Sequence, residues 1–334
     1  MSLAAMSSPV LVTIAGVGGL ICLPAFERLA AEGTINLATL KTANAVAYAI
    51  QLAAVSIPGR IDGQIAKEMA SEGRGEDEGG GKNTIDDGIG KKFTPLGGRT
   101  LVAPAGWAFA IWGPIFLGEL IFVAVQARVS ESSPLAPVLR QVSVPFAMAQ
   151  YFQSLWCAAF RPKYKGRLMY ISTGLLGTAA YSLSRAHAAF TSPTPGTSRG
   201  PGYGLLFLPL SMHFGWTTAA TLVNLNGSIS MLESTSDRTV ALVGHMSAAA
   251  ATAAGVFVTL TRSAPTFGVV VSWALFACAD GMSRRIAAAK EKEDDAVPGL
   301  YEAETQRRLC WMGACTSLGA ALFIGVRRAL RLQG

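Results

Sequence analysis

The side chains best placed to do chemistry are the few ionisable groups that fall inside long apolar runs. They are Lys41, Glu119, His213, His245 and Asp280. An ionisable group within a bilayer is expensive, and it usually faces a partner, a water-filled cavity or a bound ligand. Lys41 can extend to the interface, and Asp280 can pair with Arg284 four positions later. A structural hydrogen bond is favoured for His245, which leaves Glu119 and His213 as the main functional candidates.

Glu119 stands at the end of an aromatic stripe in the run 103–120. At about 100° per residue, this stripe spans an arc of about 80° on one helix face and consists of Phe109, Trp112, Phe116 and Glu119. One explanation is that the rings pack between helices, with Trp107 in the aromatic belt at the membrane surface. The other is that the face lines a cavity, which would also give Glu119 its partner.

Two further runs carry stripes of polar and aromatic residues. The stripe in 208–228 contains Pro209, His213, Trp216, Ala220 and Asn224, and the stripe in 139–160 contains Gln150, Gln153, Trp156 and Phe160. Hydrogen bonds between helices would explain such stripes, and so would a binding site. Three of them in one chain favour a shared internal cavity. The predicted ligand-binding residues are Trp107, Phe109, Trp112, Phe116, Glu119, Trp156, His213, Trp216 and Asn224.

Sequence motifs of catalysis are absent, which argues against an enzyme. The chain has no HExxH, GxSxG, CxxC or Walker motif and no GxGxxG that opens a helix after a strand. Its three histidines show no metal-ligand spacing, and its five cysteines are scattered, mostly inside apolar runs. The cysteines are therefore predicted to be small packing residues.

The composition points to a membrane protein. The chain has 334 residues, of which 51% are hydrophobic and 15% charged, whereas about 25% of residues are charged in soluble domains. The apolar residues form continuous runs rather than the alternating pattern of a transmembrane barrel. These features predict an all-α, polytopic transmembrane bundle and argue against a soluble enzyme.

Nine apolar runs are candidate spans, since a spanning helix needs about 20 mostly apolar residues. Seven qualify well: 101–125, 139–160, 168–190, 204–226, 239–261, 264–280 and 309–326. The run 36–57 is an eighth, and 9–26, which contains Pro24, is a ninth. We therefore predict about eight spans, or nine if 9–26 also crosses. A charged, Gly-rich insert at about 68–92 is predicted to be disordered.

The net charge of +7 is explained by the membrane topology of the chain. Its cations lie in short clusters between apolar runs, so nucleic acid is not the expected partner. Alternate loops fall into two sets, and the set that includes 58–100 and 284–308 has twice as many lysines and arginines as the other. The positive-inside rule places that set on the cytoplasmic or equivalent side and the C-terminus on the opposite side.

Three segments resemble the tryptophan-rich sensory protein / translocator protein (TspO/MBR) family. The segment 91–120 resembles the entry to the family's second helix, through Pro104, Trp107, Phe109, Trp112 and Phe116. The segment 208–227 resembles its fifth helix, with Trp216 eight positions before Asn224, and 150–160 resembles its third helix, with Trp156. The resemblance is closest to a longer branch with extra helices. It implies a five-helix core at 36–228 and, with the apolar runs, divides the rest of the chain into an N-terminal apolar segment at 1–35 and additional helices with a basic tail at 229–334.

The resemblance also implies a function. Members of the family bind porphyrins and haem, and some bind sterols, in a tryptophan-lined pocket capped by the loop between the first two family helices. Aromatic rings suit a flat tetrapyrrole, and His213 could add an axial bond to haem iron. The leading hypothesis is a receptor or transporter for a tetrapyrrole or a similar planar hydrophobic molecule.

Two other functions stay open on the sequence. One is a proton-coupled solute transporter in which Glu119 and His213 relay the proton. The other is a structural or pigment-associated subunit of a larger membrane complex, and a homo-oligomer is compatible with either. The expected partners are the lipid bilayer and a hydrophobic small molecule. The composition is compatible with a plastid or mitochondrial membrane.

Overall fold

A computed structural model describes residues 8–56, 96, 98–161, 164, 166–192, 202–291 and 301–331. These residues form helices and connections, and they include no strand, which confirms the all-α prediction. The predicted insert at 68–92 lies outside the described residues. The helices are α1 (Pro9–Ala31), α2 (Leu37–Ser56), α3 (Trp112–Ala127), α4 (Ala136–Ala159), α5 (Met169–Thr191), α6 (Gly202–Ser230), α7 (Asp237–Thr261), α8 (Pro265–Glu291) and α9 (Ala303–Arg331).

The chain is an integral, multi-pass membrane protein. Within the described residues, five helical segments are long and apolar enough to cross a bilayer: Pro9–Ala31, Gly106–Ala127, Asp237–Thr261, Pro265–Lys290 and Ala303–Leu330. Their exposed side chains include many large apolar residues, such as Ile21, Leu117 and Phe257, which contact lipid. The segment 9–26, which the sequence left open, lies in the first of these five.

Three other long helices carry polar residues on their inner faces. Helix α2 buries Asn44 and Gln51, and α4 buries Gln150 and Gln153. In α6, His213 is 0% exposed. A hydropathy average counts these side chains as if they met lipid, although they are hydrogen-bonded inside the protein. The polar side chains in these helices therefore face protein rather than lipid.

Contacts near the helix ends show that successive helices run in opposite directions between two ends of the bundle. At one end, Arg185 pairs with Glu27 at 2.6 Å, and Arg262 donates to the carbonyl of Ser184 at 2.9 Å. At the other end, the Arg99 guanidinium donates to the carbonyl of Leu232 at 2.9 Å. The C-terminal ends of α1, α5 and α7 thus lie together, as expected when successive helices cross the bundle in opposite directions. The assignment of one end to the cytoplasm stays a prediction.

The connection between α3 and α4 ties α2 into the bundle. Glu131 accepts a hydrogen bond from the backbone N–H of Leu37 at 3.3 Å and one from Arg140 at 2.6 Å. The hydrogen bond from Arg140 holds the pKa of the Glu131 carboxyl below its usual range. Lys41 donates to the carbonyl of Val129 at 2.9 Å, so its ammonium does reach the end of the bundle. The loop thus supplies partners to the first residues of α2.

A 3₁₀ helix, Gly106–Ile111, leads into α3 and lies against α8. The backbone N–H of Ala105 donates to the carbonyl of Ala277 at 2.9 Å. A Cβ on Gly281 would press into the backbone at Ala103, so the two segments touch through glycine. Glycine also sets the spacing of α3 and α6, because a Cβ on Gly118 would lie 2.6 Å from Cβ of Pro209.

Replacing Gly281 by alanine is expected to lower the free energy of unfolding by about 1 to 3 kcal/mol, the scale of overpacking against atoms that cannot rotate away. Gly319→Ala in α9 is the matched control, because nothing lies within 4 Å of its added Cβ. There the better helix propensity of alanine leaves stability unchanged or slightly raised. Unfolding in mixed detergent and SDS measures both variants. Equal stabilities would contradict the close contact between α8 and the backbone at Ala103.

Candidate functional site

The three predicted stripes meet in the interior, where α3, α4 and α6 each contribute polar side chains. Nδ1 of His213 lies 2.7 Å from Oε1 of Glu119, and Nε2 of His213 lies 2.5 Å from Oε1 of Gln153. Gln150 donates through Nε2 to the second oxygen of Glu119 at 3.0 Å. All four side chains are 0% exposed. Glu119 therefore has the partner that the sequence required, and that partner is His213.

Aromatic rings cover one side of this polar cluster. The ring of Trp112 stacks on Phe116 at 5.0 Å and meets the imidazole of His213 edge-on at 5.5 Å. Trp216 meets Trp112 edge-on at 6.1 Å and Phe109 at 5.7 Å. Such offset and edge-to-face pairs are favourable beyond the apolar area that they bury. The rings lie between the Glu119–His213 pair and the space beside it, and Gln153 is the member of the polar cluster that reaches this space.

That space is a cavity of about 410 Å³ between α3, α4 and the later helices. Five of the predicted site residues line it: Phe109, Trp112, Trp156, Trp216 and Asn224. Most of the remaining wall is apolar and comes from small or aliphatic side chains. A cavity of this size, largely apolar and with a few polar groups, is typical of small-molecule sites.

The other four predicted residues lie outside the cavity wall. Phe116 is stacked behind Trp112, and Glu119 and His213 form the buried pair behind the rings. Trp107 belongs to a different contact, since its indole N–H donates to Asp280 at 2.8 Å and its ring meets Trp273 edge-on at 4.7 Å. Trp107 thus fastens the 3₁₀ entry to α8 in the described structure.

Several wall residues were not predicted from the sequence. Gln153 lines the cavity through the same side chain that contacts His213. Helices α7, α8 and α9 add small residues, including Ser247, Ala248 and Ala251. Three of the thiols also face this space: Cys157, Cys278 and Cys310. The Ala-rich face of α7 was the available signal, because alanines leave room where larger side chains would fill the bundle.

Hydrogen-bond donors outnumber acceptors at the polar part of the wall. Nε2 of Gln153 and Nε1 of Trp156 are buried and have no hydrogen-bond partner among the described residues. Oδ1 of Asn224 already accepts a hydrogen bond from Ser172 at 3.0 Å. A buried donor without a partner is costly. The wall therefore suits a ligand that offers an acceptor, such as a carbonyl or carboxylate oxygen.

The structure does not fit the ligation of haem iron by His213. Both ring nitrogens are engaged, one by Glu119 and one by Gln153, and His213 does not line the cavity. Within the described residues, no group of three or more His, Cys, Asp and Glu side chains could hold a metal ion. His245 lies elsewhere, with Nδ1 at 2.7 Å from Oε1 of Gln306 on α9, in the structural hydrogen bond that the sequence favoured.

Fold and site together define a multi-pass helical membrane protein with an aromatic internal cavity. A family model described as TSPO-like protein matches residues 93–287, which is more than half of the chain. The chain belongs to the TSPO-like protein family. A search of curated proteins and a search of solved structures gave no match.

The matched region runs from the segment before the 3₁₀ helix through most of α8. It contains every predicted site residue. It overlaps the predicted five-helix core at 36–228 only from residue 93 onwards and extends beyond it at the C-terminal side. The division of the chain into that core and additional helices remains a prediction.

Proposed function

We propose that the protein is a membrane receptor or transporter whose cavity binds a planar, largely apolar ligand of the tetrapyrrole type. The observation that carries this proposal is the aromatic wall, in which Trp112, Trp156 and Trp216 face one cavity. Indole rings offer large rigid surfaces that favour stacked and edge-on contacts with a flat ligand. Membership of the TSPO-like family agrees with this class of ligand, as the resemblance implied.

The polar wall orients the ligand. Gln153 and Trp156 are three positions apart on α4, so their side chains lie on one helix face. Their N–H groups have no partner among the described residues, and a ligand acceptor placed between them would satisfy both. The ligand we propose is therefore apolar over most of its surface and carries carbonyl or carboxylate oxygens at one edge. The carboxylates of a porphyrin meet this description.

Iron is not required for this mode of binding. The donors and rings of the wall recognise the macrocycle and its acceptor groups, and His213 is held by Glu119 and Gln153. Porphyrin and haem should consequently bind with similar affinity. A large preference for haem would mean that the iron gains a ligand from the protein, and this would contradict the arrangement of His213.

The test is a titration of the purified protein in detergent with metal-free protoporphyrin and, separately, with haem. We expect saturable binding at micromolar concentration, with shifted absorbance bands and quenched tryptophan fluorescence. Competition by an excess of the other ligand would show one shared site. If the protein binds neither compound at micromolar concentration, the tetrapyrrole proposal is rejected. Copurification with a large assembly would then favour a structural subunit.

A further inference from the structure

Gln153 stands at the boundary between the buried polar cluster and the cavity. Its Oε1 lies 2.5 Å from Nε2 of His213, while its Nε2 has no hydrogen-bond partner among the described residues. The same side chain is part of the cavity wall. The amide oxygen of Gln153 therefore belongs to the polar cluster, while the amide nitrogen is left for the cavity. Whichever end His213 engages, the other end is left for a ligand.

The protons shared by Glu119 and His213 decide which end is engaged. When the pair holds two protons, either as imidazolium and carboxylate or as imidazole and carboxylic acid, one proton lies between Nδ1 and Glu119. The second lies on Nε2, which then donates to Oε1 of Gln153 and leaves the amide NH₂ facing the cavity. When the pair holds one proton, that proton stays between Nδ1 and Glu119. Nε2 becomes an acceptor, and only a rotated Gln153 can donate to it.

We propose that the proton count of the Glu119–His213 pair sets the hydrogen-bonding character of the cavity through Gln153. With two protons on the pair, Gln153 offers a donor and the cavity selects ligands with an acceptor. With one proton, it offers its carbonyl oxygen and selects ligands with a donor. His213 and Glu119 are in this sense positioning residues that determine specificity without touching the ligand. The proposal rests on the proposed function only in taking the cavity as the ligand site.

The surroundings allow the pair to control Gln153 directly. Gln150 donates to Oε2 of Glu119, the oxygen that does not face His213, and this hydrogen bond holds the carboxyl group in place. On the neighbouring helix α2, the hydroxyl of Tyr48 donates to the carbonyl of Phe116 at 2.8 Å, three positions before Glu119. His187 of α5 and Arg262 both contact the ring of Phe214, the residue after His213. Neither Tyr48 nor His187 takes part in a hydrogen bond with Gln153.

The experiment compares two planar tricyclic probes of nearly equal size, 9-fluorenone and carbazole. Fluorenone carries only an acceptor and carbazole carries an N–H donor, and neither titrates between about pH 5 and about pH 8, where histidine normally does. Affinities are measured across this range with the full-length protein in detergent. We expect fluorenone to bind more weakly and carbazole more tightly as the pH rises, each by about tenfold, the scale of exchanging a hydrogen bond for an unpaired buried group.

Two variants distinguish the proposed reorientation of Gln153, which we call the switch, from general effects of pH. His213→Asn removes the ring nitrogen whose proton decides which end of Gln153 is engaged, and it should abolish the opposite pH dependences while both probes still bind. His245→Asn is the matched control, because that histidine contacts Gln306 away from the cavity, and it should leave both pH dependences intact. Loss of the effect in His245→Asn would assign it to another site and overturn the proposal.

Nitrogen NMR of the ligand-free parent protein tests the switch without any probe. The His213 signals, identified by their loss in His213→Asn, should show Nε2 protonated at low pH and unprotonated at high pH. The side-chain amide signal of Gln153, identified by Gln153→Leu, should shift with the same midpoint. Parallel pH dependence of the two probes overturns the switch but leaves the cavity as a binding site. If neither probe binds, the NMR signals decide the switch by themselves, and a Gln153 signal that does not follow the protonation of His213 overturns it; the porphyrin titration decides the proposed function separately.

Discussion

Replacing Glu119 by leucine is expected to destabilise the protein by about 3 to 5 kcal/mol, the usual cost of removing one partner from a buried charged or hydrogen-bonded pair. The substitution leaves Nδ1 of His213 and Nε2 of Gln150 without the carboxylate that now faces both. Neither group can turn to water, because both side chains are 0% exposed. The measurement is the free energy of unfolding in mixed detergent and SDS.

Glu131→Leu is the matched control for this effect. Glu131 pairs with Arg140 at 2.6 Å, but its side chain is 60% exposed, and exposed pairs contribute about 0 to 1 kcal/mol. The double variant Glu119→Leu, His213→Phe should recover part of the lost stability, because it removes the stranded imidazole as well. If Glu119→Leu were no less stable than Glu131→Leu, the buried pair would not be a structural element of the bundle.

Replacing Trp216 by alanine is expected to weaken porphyrin binding by about 1 to 3 kcal/mol, which is a factor of about 5 to 150 in affinity. Trp216 lines the cavity and is 3% exposed, so its loss removes a ligand contact and part of the packing that holds Trp112. The titration described for the parent protein measures the effect. Trp216→Phe, which retains a ring, should lose less affinity than Trp216→Ala.

Trp311→Ala is the control for the loss of a tryptophan. Trp311 lies on α9, is 42% exposed and meets Phe276 edge-on at 4.7 Å. It does not line the cavity, so its removal should leave porphyrin binding unchanged. An equal loss of affinity in the two variants would show that porphyrin binds to the outer surface of the bundle. That result would reject the cavity as the binding site.

The positions of the helices could be predicted because apolar runs of span length leave few alternatives. The stripes on α3, α4 and α6 could also be predicted, since residues three or four positions apart share a face whatever the partner is. Trp112 and Phe116 stack in this way, four positions apart. The shared interior of Glu119, Gln150 and His213 followed from the same periodicity, combined with the cost of a lone carboxylate in a bilayer.

The rest of the site depends on contacts between distant segments, which periodicity does not contain. Trp107 is among the predicted site residues because it belongs to the motif that resembles the family's second-helix entry, and not because it shares the stripe of Trp112. In the structure it lies in a 3₁₀ turn, and its N–H is taken by Asp280, 173 positions later. The wall supplied by α7, α8 and α9 was missed for a related reason. Small apolar residues carry no chemical signal until the helices opposite them are known.

The contact between Gly118 and Pro209 sets the approach of α3 and α6 at a place outside the cavity wall. Here α3 and α6 approach as closely as a missing side chain allows, since a Cβ on Gly118 would lie 2.6 Å from Pro209. The two helices also carry Trp112 and Trp216, so this contact influences how far apart the two indole rings lie. A larger residue at position 118 would push α3 and α6 apart. The space between the two rings would then widen, although every residue that lines the cavity stayed the same.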